Sequence, residues 1–187
     1  MSQTDVDNQN MDKQVKSIRI ESLDNLTYRQ LTEADGAVYY QVLHEGYASN
    51  LEYGVDFSAS HMTEVDATAW LREHPTYGLF VAEQLASSIT LRMPWGPKPG
   101  PREYPHIGHF VTSPHFKNQG YAKKLLQWLE SEVLHNQLKA PLVTLGTADT
   151  HPWLKDMYIS LGFTITKVMQ LPGLTHQTIY FEKKISQ

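Results

Sequence analysis

Apolar positions recur along the chain at two different spacings, and the switches between them set out an order of elements. Ala122, Leu125, Leu126, Leu129 and Val133 stand three and four residues apart, which predicts one helix with a single apolar stripe just past Gly120. A second helical run, Trp153, Leu154, Met157, Tyr158 and Leu161, follows Pro152 at a first helical position and closes at Gly162, a left-handed cap. Nearer the N-terminus, Thr32 with Asp35 marks a helix start. That helix runs to about Gly46 and buries Val38, Val42 and Leu43. Thr63 with Asp66 marks another, which Pro75 closes near His74.

The remaining apolar runs are of β type. Ile18, Ile20 and the stretch 26–31 read as short extended segments, 77–82 as a compact strand, and 88–92 as a clean alternation. Strands are also predicted over 106–112 and 142–145, and over about 163–171 and 177–183 on either side of the Pro172-Gly173 turn. The linker between the second and third strands is placed at 84–87. Pro94, Pro97, Pro99, Pro101 and Pro105 make 94–105 a loop, because each proline removes a backbone donor. Residues 1–15 are polar without period and are expected to be a flexible tail, leaving 16–187 as one domain. The order β-α-α-β-β-β-α-β-α-β-β predicts a mixed α/β fold in one domain, built on a mixed central sheet.

Composition narrows the function classes. A net charge of −4 over 187 residues, with no extended Lys/Arg run, argues against a nucleic-acid partner. No cysteine is present, which excludes disulfides, thiolate metal sites and a cysteine nucleophile. The N-terminus lacks a signal-peptide core, and no apolar stretch approaches the roughly 18 residues of a membrane span. A cytoplasmic protein without membrane or nucleic-acid partners is expected. Oligomeric state is not legible.

The candidate chemistry centres on Lys117-Asn118-Gln119-Gly120-Tyr121-Ala122, where a strand gives way to a long helix through a glycine turn. A helix start leaves several backbone N–H groups unpaired and aimed together, at the positive end of the helix dipole, which suits a phosphate. Gly120 allows close backbone approach, Ala122 keeps the first turn uncrowded, and Lys117 and Lys123 add charge. The further glycines of a dinucleotide fingerprint and the Gly-Lys-Ser/Thr ending of a P-loop are absent.

The run Phe110 to Ala122 resembles the acetyl-CoA signature of the GNAT superfamily (Gcn5-related N-acetyltransferases), and Met157-Tyr158-Ile159-Ser160-Leu161-Gly162-Phe163 resembles the family's second motif. The element order matches the family from about residue 26 onwards. Lys117 departs from the usual Arg or Gln, His151 stands where many members have an asparagine on the pantetheine arm, and the 84–87 linker lacks a frequent glycine. The resemblance implies a splayed sheet holding acetyl-CoA as co-substrate, with no metal. Phe110, Val111, Thr112, Lys117, Asn118, Gln119, Gly120, Tyr121, Ala122, Lys123 and His151 are then the cofactor-binding set. Tyr158 matches the family acid that protonates the departing sulfur.

A general base is sought on the strand before the turn, at His106 or His109. A three-residue spacing in a regular strand puts these on opposite faces, so at most one is expected inward, and no shared metal site. Glu103 is an outside candidate, and His115 a further cofactor contact. Residues 47–61 and the proline-rich loop are expected to wall an acceptor site. The implied reaction is direct acetyl transfer from acetyl-CoA to a primary amine of a small molecule or a protein. A coenzyme A-binding sensor without turnover and a transferase using a longer acyl-CoA are the alternatives.

Overall fold

The computed structural model describes residues 25–55 and 57–186. The expected tail over 1–15 and the extended segments at Ile18 and Ile20 lie outside the described residues. Among those described, the elements are β1 (Leu26–Gln30), α1 (Gly36–Tyr47), α2 (Glu64–Glu73), β2 (Thr76–Val81), β3 (Gln84–Arg92), β4 (His106–Thr112), α3 (Tyr121–Trp128), β5 (Leu142–Ala148), α4 (Leu154–Ser160), β6 (Thr164–Gln170) and β7 (Gln177–Lys184). This is the expected order.

Local chemistry explains most boundaries. Thr63 and Asp66 form a reciprocal cap at the start of α2, with the Asp66 N–H donating to Thr63 Oγ1 (3.2 Å) and the Thr63 N–H to Asp66 Oδ2 (2.9 Å). At Thr32 the cap opens a 3-10 turn over Glu33–Asp35, so α1 begins later than expected. Ala82 and Glu83 both adopt positive φ (46° and 68°), the geometry of a two-residue hairpin. Residues 84–87, expected as a linker, are therefore the first residues of β3, which pairs from Gln84 with Val81. Pro152 lies in the turn before α4, not inside it.

The helix after Gly120 changes character midway. Past Trp128 the turns widen, and the Leu138 N–H donates to the Val133 carbonyl five residues back (2.9 Å). The expected regular helix is thus α-helical only to Trp128. The wider turns still bury Leu129, Val133 and Leu134.

The sheet has the order β1-β2-β3-β4-β5-β7-β6. On one face α3 and the wider turns after it pack Leu125, Leu126 and Leu129 against Leu79, Ile89, Leu91, Ile107 and Leu145, each such burial worth roughly 2 kcal/mol. On the other, α1 and α2 pack Tyr39, Val42, Leu43 and Leu71 against Phe80, Leu85 and Val111.

Two irregularities in this sheet create the site. The parallel pair β4 and β5 is joined at only two positions, His106 with Thr144 and Ile107 with Leu145. Beyond them the strands diverge, and the facing backbone edges have no strand partner. The second irregularity is a bulge: Gly108 pairs with Thr90 and Val111 with Ser88, so His109 and Phe110 together face the single residue Ile89. His109 takes φ 46°, which rotates the strand within one residue.

Candidate active site

The gap between β4 and β5 is one continuous cavity of about 520 Å³. Its two ends are built differently.

At one end lies the glycine turn. Gly120 adopts φ 77° and caps α3, and an added Cβ there meets nothing within 4 Å. The glycine is therefore required by the left-handed backbone rather than by crowding. The first internal bond of α3 runs from the Lys124 N–H to the Gly120 carbonyl (3.0 Å), leaving the N–H groups of Tyr121, Ala122 and Lys123 without helical partners. Lys117, Asn118, Gly120, Tyr121 and Ala122 line the cavity here, whereas the Gln119 and Lys123 side chains are exposed outside it.

Along the middle run the open strand edges. The Val111 carbonyl accepts from Ser87 Oγ (2.9 Å), so it faces β3. Strand alternation then turns the backbone groups of Thr112 to the open edge, and the Phe110 carbonyl, inside the bulge, accepts from the Tyr47 hydroxyl (3.5 Å), which also lines the cavity. Thr112 Oγ1 is itself tied to Ser87 Oγ (3.0 Å). Facing them are Tyr158 and His151. Tyr158 is buried, its ring held against Phe163 and Phe181 at centroid distances of 5.9 and 5.7 Å. Its hydroxyl has no protein partner among the described residues. Burial raises its pKa, so the phenol keeps its proton. His151 is fixed by Asn50, whose Oδ1 lies 3.1 Å from Nε2, and by the rings of Tyr53 and Trp153. With Nε2–H donating to Asn50, Nδ1 is a buried acceptor left without a partner.

At the far end both strand histidines line the cavity, correcting the expectation that at most one points inward. The bulge supplies the reason: one extra residue on β4 returns His109 to the face of His106. They are held differently. His106 Nδ1 lies 2.8 Å from Thr144 Oγ1, whose hydroxyl donates to the Pro105 carbonyl (3.4 Å). His106 Nδ1–H is therefore the donor and Nε2 carries the lone pair. Gly100 of the proline-rich loop lies directly over this ring, where an added Cβ would meet its Cγ at 2.6 Å.

His109 is stacked on Trp70 (4.1 Å between centroids), whose ring also meets His74 at a tilt of 39° (4.0 Å). Its Nδ1 lies 3.1 Å from the Tyr39 hydroxyl, the first link of a buried chain. Tyr39 reaches Thr90 Oγ1 (3.4 Å), Thr90 reaches Thr76 Oγ1 (2.8 Å), and Thr76 donates to the His74 carbonyl (3.1 Å). Trp70 Nε1–H also donates to Thr90 (3.2 Å). One set of proton positions makes every one of these bonds: Thr90 donates to Thr76, Tyr39 to Thr90, and His109 Nδ1–H to Tyr39. That set fixes the tautomer and leaves the His109 lone pair on Nε2.

Burial first, and then the Arg92 charge, pushes both His106 and His109 down to about 3, with His74 and Lys98 adding to the effect at His109. Both are therefore neutral acceptors near pH 7. The charged side chains lining the cavity are Arg92, Lys98 and Lys117, and no carboxylate is among its described lining. Asp66 and Glu73 line an adjoining hollow that also meets Lys98.

Sequence and structural comparisons agree with this geometry. Residues 40–163 match the profile of the acetyltransferase (GNAT) family. The chain belongs to the GNAT acetyltransferase family. It is accordingly an acyltransferase. Among GNAT relatives, the S-(2-succino)cysteine N-acetyltransferase of Bacillus subtilis (strain 168) is 37% identical over 84% of this chain and 95% of its own length. The S-alkylcysteine N-acetyltransferase of the same organism is 32% identical over 74% of this chain and 78% of its own. Salmonella typhimurium YncA, solved with its cofactor acetyl-CoA, superposes with a TM-score of 0.66 at 18% identity, covering 88% of this chain and 96% of that one. The ribosomal-protein-S18-alanine N-acetyltransferase from Escherichia coli gives 0.64 at 15%, covering 87% and 95%. At such identities the likeness is one of fold.

Within the GNAT cavity the structure brings together Tyr158, His106, His109, Phe110, Val111, Thr112 and His151 with the glycine turn. Glu103 and His115 do not join them: both are exposed, and His115 lies 3.7 Å from Glu45 instead. Of the acceptor-side segments, 47–61 contributes Tyr47, Asn50, Phe57 and Ala59, and the proline-rich loop contributes Lys98. Sequence reading missed Arg92, Trp70, Tyr39 and Asn50. Arg92 carries a signal, a charge closing an otherwise uncharged strand. Tyr39 and Asn50 carry none, since their roles exist only through partners far along the chain.

Proposed function

We propose that the protein transfers the acetyl group of acetyl-CoA to the α-amine of a cysteine whose sulfur carries a substituent. The observation that carries this reading is the charge of the cavity: its walls hold cations and neutral imidazoles, with no carboxylate among the described lining residues. A polyamine would meet repulsion there, whereas an acceptor bearing carboxylates would be attracted. The two relatives named for S-modified cysteines support the same class.

The residues present fit coenzyme A. The unpaired N–H groups of Tyr121, Ala122 and Lys123, with Lys117 beside them, suit its phosphates. The open edge at Thr112 and the orphaned Nδ1 of His151 suit the amides of its pantetheine arm. When bound, acetyl-CoA supplies an acetyl group activated as a thioester.

Arg92 and Lys98 disfavour an ammonium in the cavity and so favour the free amine. His109 Nε2 accepts the amine proton as the carbon–nitrogen bond forms, and the chain through Tyr39 keeps that nitrogen unprotonated beforehand. Tyr158 holds its phenol proton for the departing sulfur. The chain has no cysteine, so the transfer is direct, without a thioester on the protein.

The test is consumption of acetyl-CoA over a panel of amines, with the product identified by mass. S-methylcysteine and S-(2-succino)cysteine should exceed spermidine in kcat/KM by on the order of 100-fold, the scale set by charge mismatch in a desolvated site. A preference for spermidine or for a lysine side chain would reject the proposed acceptor.

A further inference from the structure

Arg92 ends β3 opposite His106, and its stem lies alongside β4 at Gly108, where an added Cβ would be in ordinary contact with Arg92 Cδ at 3.5 Å. The guanidinium is thus delivered into the cavity one residue before His109. There it is poorly satisfied. It offers five N–H donors. The hydrogen bond it makes runs from Nη2 to the Pro99 carbonyl at 3.4 Å, while Nε is enclosed without a partner. No carboxylate among the described residues pairs with it. Burial lowers its pKa against a smaller opposing effect of Tyr180, as for a cation held partly away from water.

A half-buried, always-charged fork left open in a reaction cavity is matched by a planar anion with two oxygens. The α-carboxylate of an amino acid is such a group. A single carbon separates it from the α-amine, so an anchor placed next to His109 fixes the nitrogen as well.

Resting on the acceptor class proposed above, we infer that Arg92 is the docking point for the acceptor's α-carboxylate and the residue that makes the enzyme select α-amino acids over simple amines. Lys98, on the loop that Arg92 touches, adds a second positive charge for anionic substituents further along the acceptor.

The experiment compares each acceptor as its free acid and as its carboxamide: S-methylcysteine, methionine and phenylalanine against their amides, in the wild type, Arg92→Lys and Arg92→Met. Acetyl-CoA affinity by calorimetry reports that each variant is folded. In the wild type the acid should be preferred by on the order of 100-fold in kcat/KM. Arg92→Met should bring the acid-to-amide ratio of kcat/KM close to one by raising KM for the acid, over and above any change common to both acceptors, and Arg92→Lys should recover part of that ratio. Equal rates for acid and amide in the wild type, or an equal fall of both in Arg92→Met, would overturn the assignment. If the S-substituted cysteine is inert but another free amino acid keeps the acid-over-amide preference, the proposed acceptor class fails and the Arg92 assignment stands. Turnover of carboxylate-free amines only overturns both.

Discussion

The two ends of the cavity are made of different material. The turn at Gly120 and the open edges of β4 and β5 present backbone: a left-handed glycine, helix N–H groups without partners, and strand groups facing a gap. The far end presents side chains: His106, His109 and Trp70, each fixed by a residue from another part of the chain, and Arg92. A backbone grip is specified by a few consecutive residues and depends little on the rest of the protein. A side-chain constellation is specified by contacts between residues 20 to 70 positions apart, such as Trp70 with Thr90 and Tyr39 with His109. The first can serve any substrate attached to the same cofactor, and the second is free to differ with the acceptor.

If this division holds, damage at the two ends should separate cleanly in binding and turnover. Gly120→Val imposes a β-branched side chain on a φ of 77° and should remove measurable acetyl-CoA binding by calorimetry. Retained affinity would show that the grip lies elsewhere. His109→Gln should leave that affinity unchanged and lower kcat by about 100-fold or more, the usual scale for a lost general base. The same change at His106, whose Nε2 is also an acceptor, should cost less, and the reverse order would transfer the base role to His106. Tyr158→Phe, in the middle, should bind acetyl-CoA normally and turn over at least about tenfold more slowly. Wild-type rates there would remove the phenol from the reaction.

The smallest effect tests the buried chain behind His109. Tyr39→Phe keeps the ring but removes the oxygen that fixes the tautomer, and a loss of roughly three- to tenfold in kcat is expected. Its pH dependence is more telling. His109 sits near 3, below the ordinary histidine value of 6.5, so the neutral base persists as pH falls through 6.5 and kcat should show no histidine limb there. Arg92→Met removes one of the charges that depress it, so the acid limb should climb towards neutrality. An unmoved limb would mean that Arg92 does not act on this histidine.

What was legible in the sequence follows the same division. The glycine turn, the Tyr158 helix and the order of elements were readable because spacing and caps act locally. The facing of His106 and His109 was misjudged because strand alternation assumes a regular strand, and the bulge opposite Ile89 breaks it. No residue type announces that bulge: His109 takes a left-handed φ that a glycine would ordinarily advertise. Residues 84–87 were misplaced for a similar reason, since Ala82-Glu83 is an uncharacteristic pair for a two-residue hairpin. Arg92 was overlooked because a charge ending a strand is ordinary until its partners prove to be missing.

The narrow seam between β4 and β5 also bears on how the molecule holds together. Strands β1–β4 and strands β5–β7 form two leaves whose direct hydrogen-bonded connection is the pairing of His106 with Thr144 and Ile107 with Leu145. A ligand lying in the gap and bonding to both edges acts as a missing strand, so its affinity becomes cohesion between the leaves. Amide exchange at the gap-facing residues Thr112, Gly146 and Ala148 should then be fast in the free protein and slow in the complex, while the centre of β3 changes little. The opening that admits the substrate is also the line along which the empty protein is most easily parted.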